Sequence, residues 1–316
     1  MMELREAAAL LKAADDILIL SHQYPDGDTL GAAAALCRAL QKLGKRARCD
    51  CADEICPKYR YLFEGVEPQQ FQPKMVVAVD VADKKLLGPL EEVYEGKIDL
   101  CIDHHGAHAP YAKNTYVDST AAATCEIIRD VVDLLGVSMD PWIASCIYTG
   151  ISTDTGCFRY TNATPKTYRV AADMMEVGVD AAEINRVMFD TKSRARLEME
   201  RSVLESIEFF FEDRCAVAEI SLEMVRRSKA LESDLEGLAA IPRQVEGVLV
   251  GITLREKEDG GYKVSVRTQP PMNAASICRE FGGGGHPGAA GCNIELPREE
   301  AKKALVQVAG YYLNSL

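Results

Sequence analysis

Short apolar runs punctuate the first half of the chain, and each stops at a side chain able to do chemistry. Residues 17–20, ILIL, open onto SHQYPDGD at 21–28; residues 75–79, MVVAV, end on Asp80; residues 98–102 run into Asp103-His104-His105. Unbroken runs of this length and β-branched content mark parallel strands buried on both faces. Between them the period changes. Residues 29–43 predict a helix with an Asp/Thr cap and an early face of four consecutive alanines, small enough to pack closely on a sheet. Further helices are predicted over 119–136, over 142–151 (which delivers Ser152-Thr153-Asp154-Thr155-Gly156), over 164–178 with Thr164 as cap and Pro165 in its first turn, and over 180–188. An edge strand is predicted at 46–52, followed by loop and short helix as far as Pro73.

Residues 190–213 turn highly charged yet keep a helical apolar period through Leu197, Val203, Leu204 and Ile207, which predicts a connecting helix. Beyond it the rhythm differs. Strands are predicted over 215–222, 245–255 and 262–268, the last two joined by the turn Glu258-Asp259-Gly260-Gly261, then a helix over 273–281, a glycine run at 282–285, HPGAAG, a short strand to Leu296 and a final helix. The expected fold is α/β: a parallel-sheet domain at 1–189, a linker helix at 190–213, and a smaller α+β domain at 214–316. A length of 316 residues also favours two domains, each with its own core.

A net charge of −12 argues against an extended basic track for long nucleic acid, but leaves short anionic partners open, because metal ions reverse the local sign of a carboxylate-rich pocket. The eleven cysteines are odd in number and most lie in apolar segments, as Cys37, Cys101, Cys146 and Cys278 do, so they read as buried reduced thiols. The first residues, MMELREAAALLKAADD, are charged and helical in pattern, unlike a secretory signal. No apolar run approaches the roughly 18–20 residues of a membrane-spanning helix. A cytoplasmic protein without a membrane partner is expected.

The polar side chains that end the apolar runs carry the chemistry. His22, Asp26 and Asp28 are too irregularly spaced for one helix face, while Pro25 and Gly27 force a turn able to point all three inward. Taken singly, such a loop is often just a turn, and an Asp at a strand end just a cap. Four strand or helix ends that each deliver Asp or His point instead to a metal centre. His22, Asp26, Asp28, Asp80, His104 and Asp154 are six donors, with Asp103 and His105 beside them. That is too many for one ion, and six donors with one shared carboxylate suit two ions about 3.5–4 Å apart. An oxygen-rich set softened by two imidazoles fits Mn²⁺ better than Mg²⁺, with Co²⁺, Fe²⁺ or Zn²⁺ as substitutes. Two such ions suit phosphoryl chemistry, in which a bridging hydroxide attacks phosphorus in line and no covalent nucleophile is needed.

HQYPDGD, the isolated Asp80, DHH at 103–105 and Asp154 resemble the four motifs of the DHH phosphoesterase superfamily, and GGGGHPGAAG resembles that of its associated substrate-binding domain. The motifs span positions 22 to 291. The two-domain layout is most similar to the NrnA-type branch, which hydrolyses very short oligoribonucleotides and 3′-phosphoadenosine 5′-phosphate; long RecJ exonucleases carry further domains. The resemblance implies His22, Asp26 and Asp80 on one metal, and Asp28, Asp80, His104 and Asp154 on the other, with Asp80 bridging. It makes Asp103 the orienter of a ligating imidazole. His105 would face the substrate phosphate, as hydrogen-bond donor or as proton donor to the leaving oxygen. Ala32 stands where family members often have Ser.

In the second domain the glycine run is bounded by an apolar helix and a strand. Gly283, Gly284 and Gly285 therefore read as backbone amides exposed to phosphate, with His286 as a side-chain donor. Arg267 on the preceding strand offers a fork for a terminal phosphate, and Asn273 and Arg159 are further substrate-binding candidates. His108, in an Ala/Pro loop, reads as solvent-facing. The expected reaction is hydrolysis of short RNA oligonucleotides or small phosphorylated nucleotides in a cleft between the domains, with a homodimer left open. Three alternatives stand beside it. The GGGGH loop argues against a pyrophosphate or polyphosphate hydrolase; a cyclic dinucleotide (cyclic di-AMP or pApA) phosphodiesterase shares both domains; the complete donor set disfavours a non-catalytic RNA or nucleotide-binding module.

Overall fold

A computed structural model describes residues 2–315, which divide into two units between Thr191 and Lys192. The first unit runs α1 (Leu4–Ala13), β1 (Ile17–Leu20), α2 (Gly27–Lys42), β2 (Ala47–Asp50), β3 (Met75–Val79), α3 (Leu90–Tyr94), β4 (Leu100–Asp103), β5 (Asn114–Val117), α4 (Thr124–Leu135), α5 (Pro141–Asp154), α6 (Pro165–Val177) and α7 (Ala181–Asn185). Its five strands lie in the order β2-β1-β3-β4-β5, all parallel. Successive strand residues point to opposite faces. Ile17, Ile19, Val77, Val79, Leu100 and Ile102 therefore join one core with α1, α2, α4 and α5, while Leu18, Leu20, Val76, Ala78 and Cys101 join another beneath Leu87.

The chain leaves β1 towards β2 on one side and then returns to β3 on the other. The order of the sheet thus reverses between β1 and β3, and ligands of open α/β sheets bind outside the carboxyl ends of the strands at such a reversal. The residues following β1 and β3 are the SHQYPDGD loop and Asp80.

α2 begins earlier than the apolar period suggests. Asp26 caps it, its Oδ1 accepting from the amides of Asp28 (3.0 Å) and Thr29 (3.2 Å), so Asp28 falls inside the first turn. The alanines 32–35 are fully buried where α2 packs on its neighbours, Ala32 among them. α5 comes close enough that a side chain at Gly150 would place its Cβ 2.6 Å from Asp28 Oδ1. β5 was not foreseen, because NTYV is half-buried at the sheet edge and shows neither an apolar run nor clean alternation.

The second unit comprises α8 (Arg194–Glu205), β6 (Glu208–Phe210), β7 (Cys215–Ile220), α9 (Leu222–Ser228), α10 (Glu232–Leu235), β8 (Val250–Glu256), β9 (Tyr262–Thr268), α11 (Ala274–Arg279), β10 (Gly284–His286), β11 (Ala289–Ile294) and α12 (Arg298–Leu313). Its six strands lie in the order β10-β11-β9-β8-β7-β6, with only β7 and β8 parallel. α11 and α12 cover one face. On the other, Met199 and Val203 of α8 pack with Ala218, Ile220, Leu238 and Ile241. The charged stretch 190–213 therefore contains a helix that shares a core with this sheet, followed by an edge strand.

The glycine run is partly strand as well: Gly284, Gly285 and His286 pair with Gly291, Ala290 and Ala289. As an edge strand, β10 keeps one side of its backbone unpaired. The thiols of Cys37, Cys101, Cys146 and Cys278 are free and buried. Among the described residues no helix is long and apolar enough to cross a membrane.

Candidate metal centre

Hydrogen bonds fix each donor of the first unit at its strand or helix end. Thr29 Oγ1 donates to the Val79 carbonyl (3.1 Å), tying the start of α2 to the end of β3. Asp80 follows in a left-handed turn (φ 60°), its amide bonded to the Ile102 carbonyl at 2.9 Å. His22 Nδ1 faces the Gln23 carbonyl at 2.8 Å and His104 Nδ1 faces the Ala121 carbonyl at 3.2 Å. A carbonyl only accepts, so in both rings Nδ1 carries a proton and Nε2 is the nitrogen turned to the carboxylates, as in a metal-ligating imidazole.

The two Nε2 atoms converge on one carboxylate from opposite sides. His22 Nε2 lies 3.7 Å from Asp80 Oδ2 and 3.8 Å from Asp26 Oδ1. His104 Nε2 lies 3.6 Å from Asp80 Oδ1, 3.5 Å from Asp154 Oδ2 and 4.0 Å from Asp28 Oδ2. His22, Asp26 and Asp80 form one set with all donor atoms within 4.8 Å of one another, and Asp28, His104 and Asp154 form another. Around them, Asp28 accepts from the amides of Thr124 (2.6 Å) and Cys125 (2.9 Å) at the start of α4, and Asp80 Oδ1 accepts from Thr124 Oγ1 at 2.9 Å. These bonds use the positive end of α4 to hold carboxylates without neutralising them.

Electrostatics show what this arrangement lacks. Burial, then the charges of Asp28, Asp26, Asp154 and Asp103, push Asp80 well above the usual carboxylate range. Burial raises Asp28 too, and burial with the charges of Asp28 and Asp26 pushes Asp154 up to about 8. Among the described residues no Lys or Arg pairs with Asp26, Asp28, Asp80, Asp103 or Asp154. Crowded carboxylates with two imidazole nitrogens turned to them and no Lys or Arg are the donor chemistry of a divalent-cation site, so the residues fit such ions.

Comparison with known proteins agrees with this geometry. Residues 16–151 match the DHH family, N-terminal domain, and residues 214–315 match the DHHA1 domain. The bifunctional oligoribonuclease and PAP phosphatase NrnA of Thermus thermophilus is 35% identical over 302 residues, covering 93% of this chain and 89% of the relative. The chain belongs to the DHH family. It is an enzyme of that phosphoesterase family, with NrnA proteins as full-length homologues. Among solved structures, an exopolyphosphatase-related protein of Bacteroides fragilis superposes with a TM-score of 0.87 at 23% identity, covering 98% of this chain and 96% of that one. Thermus thermophilus RecJ in complex with Mn²⁺ gives 0.60 at 17% identity, covering 99% of this chain and 55% of that one. Both likenesses concern the fold.

In this DHH protein Asp103, the last residue of β4, bonds the rings of His105 and His108 rather than that of His22 or His104, contrary to expectation. Asp103 is fully buried. Its Oδ1 accepts from His105 Nδ1 (2.7 Å) and from the amides of His104 (2.8 Å) and His105 (3.2 Å). Its Oδ2 accepts from His108 Nδ1 at 2.7 Å. His108 is therefore not solvent-facing: its side chain is 7% exposed, because the Ala/Pro loop folds back and Ala109 donates its amide to the Ala82 carbonyl at 2.8 Å. The residue type gave a signal, since His is a poor choice for a purely solvated loop, but its partner is visible only in three dimensions. Burial pushes Asp103 up, and the bonds from His105 and His108 outweigh it and hold it below the usual range; the bond to Asp103 raises His105 in turn.

Arg159 also lies in the first unit, where its Nε donates to the Gly156 carbonyl at 2.6 Å. The other anticipated substrate residues lie in the second. Asn273 caps α11, accepting from the Ser276 amide at 3.2 Å. Arg267 is half-buried on β9, its Nη1 donating only to the Val266 carbonyl, 3.1 Å away. Burial and the charge of Arg243 lower the pKa of Arg267. Sequence reasoning did not single out Arg243. It sits over Gly251, the residue of β8 that pairs with Arg267; a Cβ at Gly251 would lie 2.7 Å from the Arg243 amide nitrogen. Among the described residues its buried Nε has no hydrogen-bond partner, and neither arginine is paired with a carboxylate.

Proposed function

We propose that this chain hydrolyses the phosphoesters of very short oligoribonucleotides and of 3′-phosphoadenosine 5′-phosphate, in the cytoplasm, with two divalent cations, Mn²⁺ first among them. The carrying observation is Asp80, whose two oxygens face different imidazoles, so that it belongs both to the donor set of His22 and Asp26 and to that of His104 and His105. The activities in the name of the Thermus relative support the substrate class. In this reading residues 1–189 are the catalytic domain, 190–213 the linker and 214–316 the substrate-binding domain.

His22, Asp26 and Asp80 would hold one cation, and Asp28, Asp80, His104 and Asp154 the other. Ions bound there supply Lewis-acid polarisation of phosphoryl oxygens and activation of the attacking water. The chain's own side chains do the rest. Asp103 fixes the Nδ1 proton of His105 and favours its charged form, which leaves Nε2 to donate to the phosphate or to the departing oxygen. Arg267, with Arg243 beside it, would take a terminal phosphate by charge-assisted bonds. His286 and the backbone amides of Gly284 and Gly285 would add neutral donors, whereas the Gly283 amide already bonds the Cys278 carbonyl at 2.9 Å; Asn273 and Arg159 would be further substrate contacts. A substrate of a few nucleotides needs only these local contacts, which suits a chain of net charge −12.

The test is Mn²⁺-dependent hydrolysis of 3′-phosphoadenosine 5′-phosphate, a di- to pentaribonucleotide set, cyclic di-AMP, pApA and pyrophosphate, beside Asp80→Ala. Turnover of the first two classes, lost in the variant, is expected. Cleavage of only the cyclic dinucleotide or only pyrophosphate would refute the substrate assignment while sparing the metal centre.

A further inference from the structure

His108 has an environment that packing alone does not account for. Its ring is 7% exposed and tilted against Tyr111, with centroids 5.5 Å apart, and Tyr111 is itself anchored by donating to the Val81 carbonyl at 2.7 Å. One nitrogen, Nε2, is buried with no hydrogen-bond partner. An apolar ring would fill the same space without burying an unsatisfied nitrogen. The feature that only an imidazole or another donor supplies there is the 2.7 Å bond from Nδ1 to Asp103 Oδ2.

That bond closes the coordination of a fully buried carboxylate. Without it, Oδ2 of Asp103 would be buried and unpaired, and the carboxylate would be held through Oδ1 alone. The consequence reaches His105 because its ring is 43% exposed and has two acceptors within reach of the same nitrogen: Asp103 Oδ1 at 2.7 Å and Asp80 Oδ1 at 3.6 Å. Only the bond to Asp103 is short enough to be a hydrogen bond, and it keeps Nδ1 turned from the donors around Asp80.

We propose that His108 is a positioning residue: by holding Asp103 Oδ2 it locks the carboxylate that bonds Nδ1 of His105 and sets the orientation of that ring. The proposal rests on the functional reading for the role of His105, but its geometry does not depend on the substrate. Asp103 is thus clamped between two imidazoles, one facing the centre and one facing the protein interior.

A crossed pair of variants separates the hydrogen bond from the packing. His108→Asn keeps an N–H donor and loses the ring; His108→Phe keeps the ring and loses the donor. With 3′-phosphoadenosine 5′-phosphate and a diribonucleotide, His108→Phe should lower kcat by about 10- to 100-fold with KM nearly unchanged, the cost typical of losing a partner one step removed from the reacting groups. His108→Asn should recover most of that loss. A long-range ¹⁵N spectrum of the imidazoles reads the same event without substrate: a hydrogen-bonded Nδ1–H on His105 is expected in the wild type and in His108→Asn, and its weakening in His108→Phe. Full activity in His108→Phe, or equal losses in both variants, would overturn the proposal. Should the wild type hydrolyse neither substrate, the functional reading fails, and the spectrum alone decides: an unchanged His105 Nδ1–H signal in His108→Phe refutes the clamp.

Discussion

The donor cluster of the first unit and the arginine pair of the second leave charge unmatched in opposite senses. Around Asp80, buried carboxylates gather with no Lys or Arg among the described residues to neutralise them. Around Arg267, the charge of Arg243 is felt and among the described residues no carboxylate is paired with either arginine. Elsewhere the same chain pairs its charges readily: Arg38 with Asp140, Arg129 with Asp133 and Asp173, Arg255 with Glu232. With 48 acidic residues against 36 basic ones, an arginine without a counter-ion is the harder state to explain. Where pairing is withheld, each cluster is left able to take a partner of the opposite sign, as the proposed function requires.

Asp80→Asn should break the first side most severely. It keeps the side chain's shape but removes the shared charge, and the loss of turnover should exceed the about 100-fold typical of outer partners, with bound metal falling below two ions per chain by elemental analysis. On the other side, Arg267→Ala should raise KM for 3′-phosphoadenosine 5′-phosphate by about 10- to 100-fold, the loss of one charge-assisted contact of roughly 1.5–3 kcal/mol. Arg243→Ala should act in the same direction and less strongly. Steady-state kinetics checks both, and a fall in kcat with unchanged KM would contradict the assignment of this pair to binding.

A pH series sharpens the contrast. Asp154 has a folded pKa of about 8 against an unfolded value near 3.8, so between these values the folded state binds more protons than the unfolded state. The stability of the metal-free protein should therefore fall as pH rises from about 5 to 8 and level off above, and Mn²⁺ should raise Tm more at pH 8 than at pH 5.5, by calorimetry in chelator and in metal. The smallest effect concerns salt. A substrate with only a few phosphates should give a shallow dependence of log KM on log salt concentration, a slope of about 1 to 3, whereas a long RNA track would be much steeper.

The sheet and most donors were legible in the sequence for a physical reason. β1 and β3 are buried on both faces, which leaves an unbroken apolar run, and the next residues are polar because they leave the sheet at its carboxyl edge. β5 and β6 escaped notice because half-exposed edge strands carry mixed residues, and β10 because glycine has no side chain to show a period. The start of α2 was misplaced because a carboxylate, Asp28, is 1% exposed inside the first turn of a helix, against the usual pattern. His108 and Arg243 were invisible for a common reason. Each is defined by a neighbour distant in space rather than in spacing: a loop folded back under β4 for one, a bare backbone at Gly251 for the other.

Gly150 carries a consequence for which cations such a centre admits. Asp28, at the first turn of one helix, rests its carboxylate against the backbone of another, and the same second helix carries Asp154 on its last turn. The wall behind Asp28 is thus main chain, which cannot yield by changing rotamer. Adding one methyl group at 150 would advance that wall towards the donors without altering any of them. Selection for a different ionic radius therefore has a route through residues that never touch an ion.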